Sequence, residues 1–272
     1  MTDDLLKNPV STAMRQEIEA VLGTIERDHD VEILFAIESG SRAWGFPSPD
    51  SDYDVRFVYR RPLDWYLSIE PGRDVIELPI SGDLDVNGWD VQKALGLMLK
   101  ANPVLLEWLS SPIKYRWNAS VATQLTDLAG LAAYGTKCRH HYLRLAERQW
   151  DRNIEGQSEV NLKRYFYCVR PAMALRWLRL RPGAPPPMNF DALAEGIDLA
   201  PELIGKLKEL LVLKSRTKEL GDGLRIPVID TFVTSEMEQA RGLLDSSAPI
   251  TPDLRVRAND LFRTLVKEAG DV

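Results

Sequence analysis

A glycine–serine pair and a small set of acids are the residues of this chain best suited to chemistry. Gly40-Ser41 follows Val31-Glu32-Ile33-Leu34-Phe35-Ala36-Ile37, a run apolar enough to be a buried strand, so their amides lie where a strand gives way to a turn. A glycine there lets a phosphate approach the main chain, and successive N–H groups can cradle it. Asp52 and Asp54 open the next strand, Tyr53 to Tyr59. Residues i and i+2 of a strand point to one face, roughly 6–7 Å apart. Carboxylates so placed can share divalent ions, and Mg²⁺ favours one or two of them together with substrate phosphate oxygens. A two-ion site, with its ions roughly 3.5–4 Å apart, needs a further acid from a neighbouring strand. Asp85 and Asp90 are the candidates; Asp90 is better explained as a helix cap, so Asp85 is the expected third carboxylate. A calcium loop is excluded. Asp50, Asp52 and Asp54 match its first acids, but Val55 and Arg61 stand where Gly and Glu are required.

The elements that must position these residues follow from periodicity. Met14, Ile18, Val21, Leu22 and Ile25 recur at helical spacing over Ser11 to Asp28. After the two strands come shorter ones at 74–78 and 84–87, separated by a Ser-Gly-Asp turn. From Asp90 onward the pattern is helical, with helices expected at 91–100, 103–109, 118–129, 134–154, 160–180, 201–220, 228–244 and 253–269. Arg181 to Pro187 is the clearest break among them. The expected architecture is α+β: a small domain with a mixed sheet over residues 1–115, then a mostly α-helical domain over 116–272.

The chain has 272 residues, 44% apolar and 27% charged, which places it among globular proteins. No run approaches the roughly 20 apolar residues of a membrane span. The acidic start Met1-Thr2-Asp3-Asp4 has no apolar run behind it, so no signal peptide is expected. Cys138 and Cys168 make no disulfide framework or zinc motif, and a cytoplasmic setting is the expectation. Charge is uneven: −9 over residues 1–115, +7 over 116–182 and −4 over 183–272. An acidic part followed by a basic one suits carboxylate or metal chemistry facing a phosphate-binding surface. Phosphate-loop, dinucleotide-binding and kinase signatures are missing.

The Gly40-Ser41 pair, the spacer and Asp52-Tyr53-Asp54 resemble the signature of nucleotidyltransferases of the DNA polymerase β superfamily. Gly40 to Trp44 with Ser51 to Arg56, Asp85-Val86 followed by Lys93, and Asn102-Pro103-Val104-Leu105-Leu106-Glu107 look more narrowly like the RlaP-like branch, which is associated with RNA repair. The resemblance covers residues 31–110, and beyond them it rests on Lys163 and Arg170 in a basic helix. It implies a polymerase-β-like first domain in which Asp52, Asp54 and Asp85 bind Mg²⁺ or Mn²⁺. Asp85 would also take the proton of an acceptor hydroxyl. Gly40 and Ser41, with Arg42 beside them, would hold the triphosphate of an NTP, ATP being the expected one, with Lys163 and Arg170 as further nucleotide ligands.

The basic 116–182 stretch suits an RNA end as acceptor, because Lys and Arg contacts to phosphate give sequence-independent affinity. The alternatives are AMP transfer to a protein or small molecule, as in minimal nucleotidyltransferases of toxin–antitoxin pairs, and a nucleotide-binding regulator without catalysis. Trp44, Phe46 and Trp89 offer either base stacking or core packing. The adjacent His140 and His141, among Lys137, Arg139, Arg144 and Arg148, face different sides of a helix and make a poor metal site. Lys93 is expected to be structural.

Overall fold

A computed structural model describes residues 10–70, 72–131, 135–216, 221–243 and 252–268. The chain begins with α1 (Thr12–His29), β1 (Glu32–Glu38), α2 (Gly40–Trp44), β2 (Tyr53–Arg60) and α3 (Leu63–Tyr66). It continues through β3 (Val75–Glu77), β4 (Leu84–Asp90), α4 (Val91–Leu99), α5 (Val104–Leu109), β5 (Lys114–Trp117) and α6 (Ala119–Gly130). Then follow α7 (Gly135–Asn153), β6 (Glu159–Asn161), α8 (Arg164–Leu180), α9 (Phe190–Glu195), α10 (Pro201–Arg216), β7 (Asp222–Leu224), α11 (Pro227–Gly242) and α12 (Pro252–Lys267). Among the described residues, no helix is long and apolar enough to cross a membrane.

Among the described residues two compact units emerge, one drawn from 10–43, 52–70, 72–131 and 252–268, the other from 44–51, 135–216 and 221–243. The boundary expected at 115/116 is displaced, because β5 pairs antiparallel with β1 and so belongs to the sheet. The helix at the end of the chain also returns to the sheet unit. Residues 134, 217–220, 244 and 269 of the expected helices lie outside the described residues, as does the side chain of Lys137.

In the sheet unit the strand order is β3-β4-β2-β1-β5. β2 runs antiparallel to β1 and parallel to β4, which makes the sheet mixed, as expected. Ser11 caps α1 by accepting from the Met14 amide at 3.2 Å. Ile18, Leu22 and Ile25 then form the buried stripe of that helix and join Ala36, Val55, Phe57, Tyr59 and Val86 in one apolar cluster. Because side chains alternate along a strand, burying Val55, Phe57 and Val86 there sends Asp54, Arg56 and Asp85 to the opposite face. Asp90 ends β4 and caps α4, accepting from the Gln92 amide at 2.7 Å.

In the helical unit, α8 carries Pro171 and packs on α7 and α11. The expected helix at 160–180 starts later, since residues 159–161 pair with β7 as a two-stranded ladder. Residues 44–51 supply Phe46 to this core, where its ring stacks on Phe166 with centroids 5.0 Å apart and meets the edge of Phe190 at 5.7 Å.

Candidate active site

Parallel pairing of β2 with β4 sets Asp54 directly opposite Asp85. The two carboxylates are tied by one guanidinium: Arg56 Nη2 lies 3.1 Å from Asp54 Oδ1 and 2.7 Å from Asp85 Oδ2. Arg56 Nη1 also donates to the carbonyls of Val55 and Asp85, each at 3.0 Å. All three side chains are half-buried. Asp52 sits just ahead of β2, exposed, and close enough for its charge to act on Asp54.

Asp54 is also held through its backbone. Its carbonyl accepts from the Ser39 amide at 2.8 Å, and its N–H donates to Glu38 Oε1 at 3.0 Å. Glu38, wholly buried at the end of β1, accepts from the Tyr115 hydroxyl at 2.5 Å, and its carbonyl takes the Ser111 hydroxyl at 2.6 Å. Burial pushes the Glu38 carboxyl up to about 7, against the lowering effect of these hydrogen bonds from Tyr115 and the Asp54 amide. Burial likewise raises Asp54; Arg56 opposes that, while Asp85 and Asp52 add to it.

Gly40 opens α2 with φ +58°, and a side chain there would collide with the Asp54 carboxylate. The bend and the acid are therefore in direct apposition, and only glycine leaves room. Ser41 follows within α2. Arg42 is buried: its Nε donates to the Asp52 carbonyl at 3.1 Å, and its guanidinium stands 3.8 Å from the Tyr53 ring centroid. Arg42 thus links the Gly-Ser helix to the entry of the acidic strand.

The sheet unit thus brings together Gly40, Ser41, Arg42, Asp52, Asp54 and Asp85, with Asp85 rather than Asp90 beside Asp54. Asp90 is at the other end of β4, opposite Tyr59, where burial raises its carboxyl to about 6 and Tyr66 donates to it at 2.9 Å. Among the described residues, no three His, Cys, Asp or Glu side chains stand close enough to enclose a metal ion by themselves. The donors are nevertheless hard carboxylate oxygens whose charges act on one another. That suits an ion held by one or two carboxylates and by substrate phosphate oxygens, rather than by an all-protein cage.

The family model described as RlaP, RNA repair pathway DNA polymerase beta family, matches residues 14–264. The chain belongs to the RlaP family. As an RlaP protein it is a nucleotidyltransferase of the polymerase β type. It is 41% identical to the uncharacterized protein YcgL of Bacillus subtilis (strain 168) over 259 residues, 95% of this chain and 98% of that one. A solved nucleotidyltransferase-like protein from Exiguobacterium sibiricum 255-15 aligns over 94% of this chain and 80% of its own, with 13% identity and a TM-score of 0.32.

Two nucleotide ligands expected in this RlaP chain lie in the helical unit. Lys163 precedes α8 and is half-buried. Arg170 is buried; its guanidinium lies 4.7 Å from the Trp44 ring centroid and its Nε donates to the Met188 carbonyl at 3.4 Å. Arg176 and Arg179 converge on the buried Glu236 at 2.7 and 3.0 Å. Trp89, half-buried, packs on Trp108 with centroids 4.1 Å apart, and Phe46 is interior, a packing residue rather than a base platform. Lys93 pairs with Asp74 at 3.1 Å, a structural role as expected.

Sequence reasoning missed Arg56, Glu38 and Tyr115. Two signals were there to be read: Arg56 has the i+2 spacing from Asp54 that Asp54 has from Asp52, and Glu38 is a charge closing an apolar strand. Tyr115 carries no such signal.

Proposed function

We propose that this nucleotidyltransferase moves an NMP from an NTP, ATP first among them, to a hydroxyl at an RNA end, with Mg²⁺ or Mn²⁺ and with release of pyrophosphate. The observation that carries the proposal is the apposition of Asp54, paired with Asp85 across two parallel strands, to the Gly40 bend. In this reading Asp52 and Asp54 hold the divalent ions, and the amides of Gly40 and Ser41 face the triphosphate. Arg42 keeps the bend and the acidic strand together through the Asp52 carbonyl. The ions, when bound, neutralise charge on the attacking and leaving oxygens. Asp85 accepts the proton of the acceptor hydroxyl as its oxygen attacks the α-phosphorus and the bond to the bridging oxygen of pyrophosphate breaks. Positioning and charge neutralisation supply the rate, with no covalent intermediate.

The RNA acceptor draws on the net +7 of residues 116–182 and on the family description. Arg144, Arg148 and Arg152 recur every fourth residue along α7 and are exposed, a stripe suited to a phosphate backbone.

The test incubates the protein with each α-labelled NTP, Mg²⁺ and cellular RNA. RNA should acquire label, and Asp54→Asn should lower the rate at least about a hundredfold, the scale of losing a principal electrostatic group. Undiminished transfer by Asp54→Asn would overturn the site. Label on a protein instead of RNA would overturn the acceptor.

A further inference from the structure

We propose that Arg56 is a resident counter-cation of the carboxylate pair, which keeps the affinity for a bare divalent ion low, so that the ion enters together with the nucleotide. The inference rests on the nucleotidyl-transfer reading above and adds the order in which its reactants assemble.

The guanidinium is built into the strand pair. Arg56 lies two residues beyond Asp54 on the same face of β2 and reaches across to β4. It meets four acceptors: a carboxylate oxygen of Asp54, one of Asp85, and the carbonyls of Val55 and Asp85. Its side chain is only 18% exposed, so water screens these contacts poorly. Like charges directly opposite on neighbouring strands destabilise a sheet, and a shared guanidinium removes that repulsion. The Asp54 carboxylate divides its two oxygens accordingly, with Oδ1 taken by Arg56 and Oδ2 turned to Gly40.

A bare ion approaching this pair meets carboxylates already compensated by a fixed positive charge, and among the described residues it finds no cage of three protein acids. A triphosphate brings both the missing oxygen ligands and the missing negative charge. Arg56 need not leave, because its bonds occupy one edge of Asp54.

The test is calorimetric titration of Mn²⁺ into wild type, Arg56→Gln and Arg56→Lys, with and without α,β-methylene-ATP, folding being checked by circular dichroism. Wild type should bind Mn²⁺ weakly alone and far more tightly with the analogue. Arg56→Gln should bind Mn²⁺ alone about tenfold more tightly, the scale of removing one nearby charge, with a smaller gain when the analogue is present. Its metal-free form should melt lower, and Mn²⁺ should restore the loss. Arg56→Lys keeps the charge but cannot bridge both acids, and should gain about threefold by the same argument. If Arg56→Gln does not fold, the lysine variant decides. Unchanged or weaker binding of Mn²⁺ alone by the folded variants would overturn the proposal. Asp54→Asn separates the two readings: if binding of Mn²⁺ with the analogue survives that change, the metal assignment itself is wrong. If that binding depends on Asp54 while the Arg56 variants gain nothing, only the present inference falls.

Discussion

Gly40 shows how a single missing side chain can matter to a site. Its φ of +58° lies in the left-handed region, and its Cα abuts the Asp54 carboxylate. Gly82 has the same φ, but a methyl added there would meet nothing within 4 Å, so the pair separates backbone strain from steric displacement. Gly82→Ala should cost about 1–2 kcal/mol in thermal or denaturant unfolding and leave nucleotide transfer intact. Gly40→Ala should cost at least as much and also lower transfer by about a hundredfold, because Asp54 must move by about an ångström or more. Equal transfer by the two variants would show that the contact has no functional weight. The same scale explains Glu38. A buried carboxyl is tolerated there because Tyr115 and the Asp54 amide satisfy it, and in return it holds the backbone from which Asp54 projects.

At the scale of elements, α10 inserts a lysine into an apolar core. Lys214 lies on the stripe of Leu203, Leu207, Leu210 and Leu211, and is 1% exposed. Its ammonium donates to the Phe46 carbonyl and faces the rings of Phe46 and Phe166 at 4.4 and 5.6 Å. Among ionisable neighbours, Lys163 pushes its pKa further down and Asp50 opposes that. Burial dominates and lowers the amine to about 7 from an ordinary 10.5. Between those two values the unfolded chain binds the proton that the folded one has released, so stability rises with pH across that window. Below about 7 both states are protonated, and the desolvation penalty is present in full. Unfolding free energy measured from about pH 7 to the ordinary 10.5 should therefore climb in wild type, over and above other groups, and the slope should flatten in Lys214→Met. An identical slope in the variant would place the lowered amine elsewhere. The signal was readable in advance, since a lysine interrupts a leucine stripe at helical spacing. Its partner carbonyl in residues 44–51 was not, being 168 residues away.

At the scale of the whole chain, α12 belongs to the sheet unit although more than a hundred residues of the helical unit intervene. Leu254, Ala258, Leu265 and Val266 are buried on it, and the Leu265 carbonyl accepts from Arg60, which also pairs with Glu32 at 2.6 Å. Losing three large aliphatic contacts at about 1.5–3 kcal/mol each is comparable with the entire stability of an ordinary domain. A chain ended after residue 251 should therefore melt far below the intact protein, with loss of transfer. A melting temperature within a few degrees of wild type would contradict the assignment of α12 to the sheet unit. The division expected at 115/116 shifted for the same reason that this prediction is possible. Composition and helical period record how each segment folds locally, and neither reports that β5 closes on β1 or that α12 comes back.

The first helix, the four strands up to Asp90, the Gly40-Ser41 break just after the first of them, the acids at i and i+2, and the cap role of Asp90 were legible in the residues themselves. Each depends on interactions within a few positions: side-chain alternation, the special backbone of glycine, and the short reach of a capping carboxylate. Tertiary structure alone decided that Asp85 stands opposite Asp54, that Arg56 spans both, that Tyr115 supports Glu38, and that residues 44–51 serve the helical core. Those outcomes depend on strand register and on contacts between segments distant in the chain, where one residue of slip would turn every side chain to the other face.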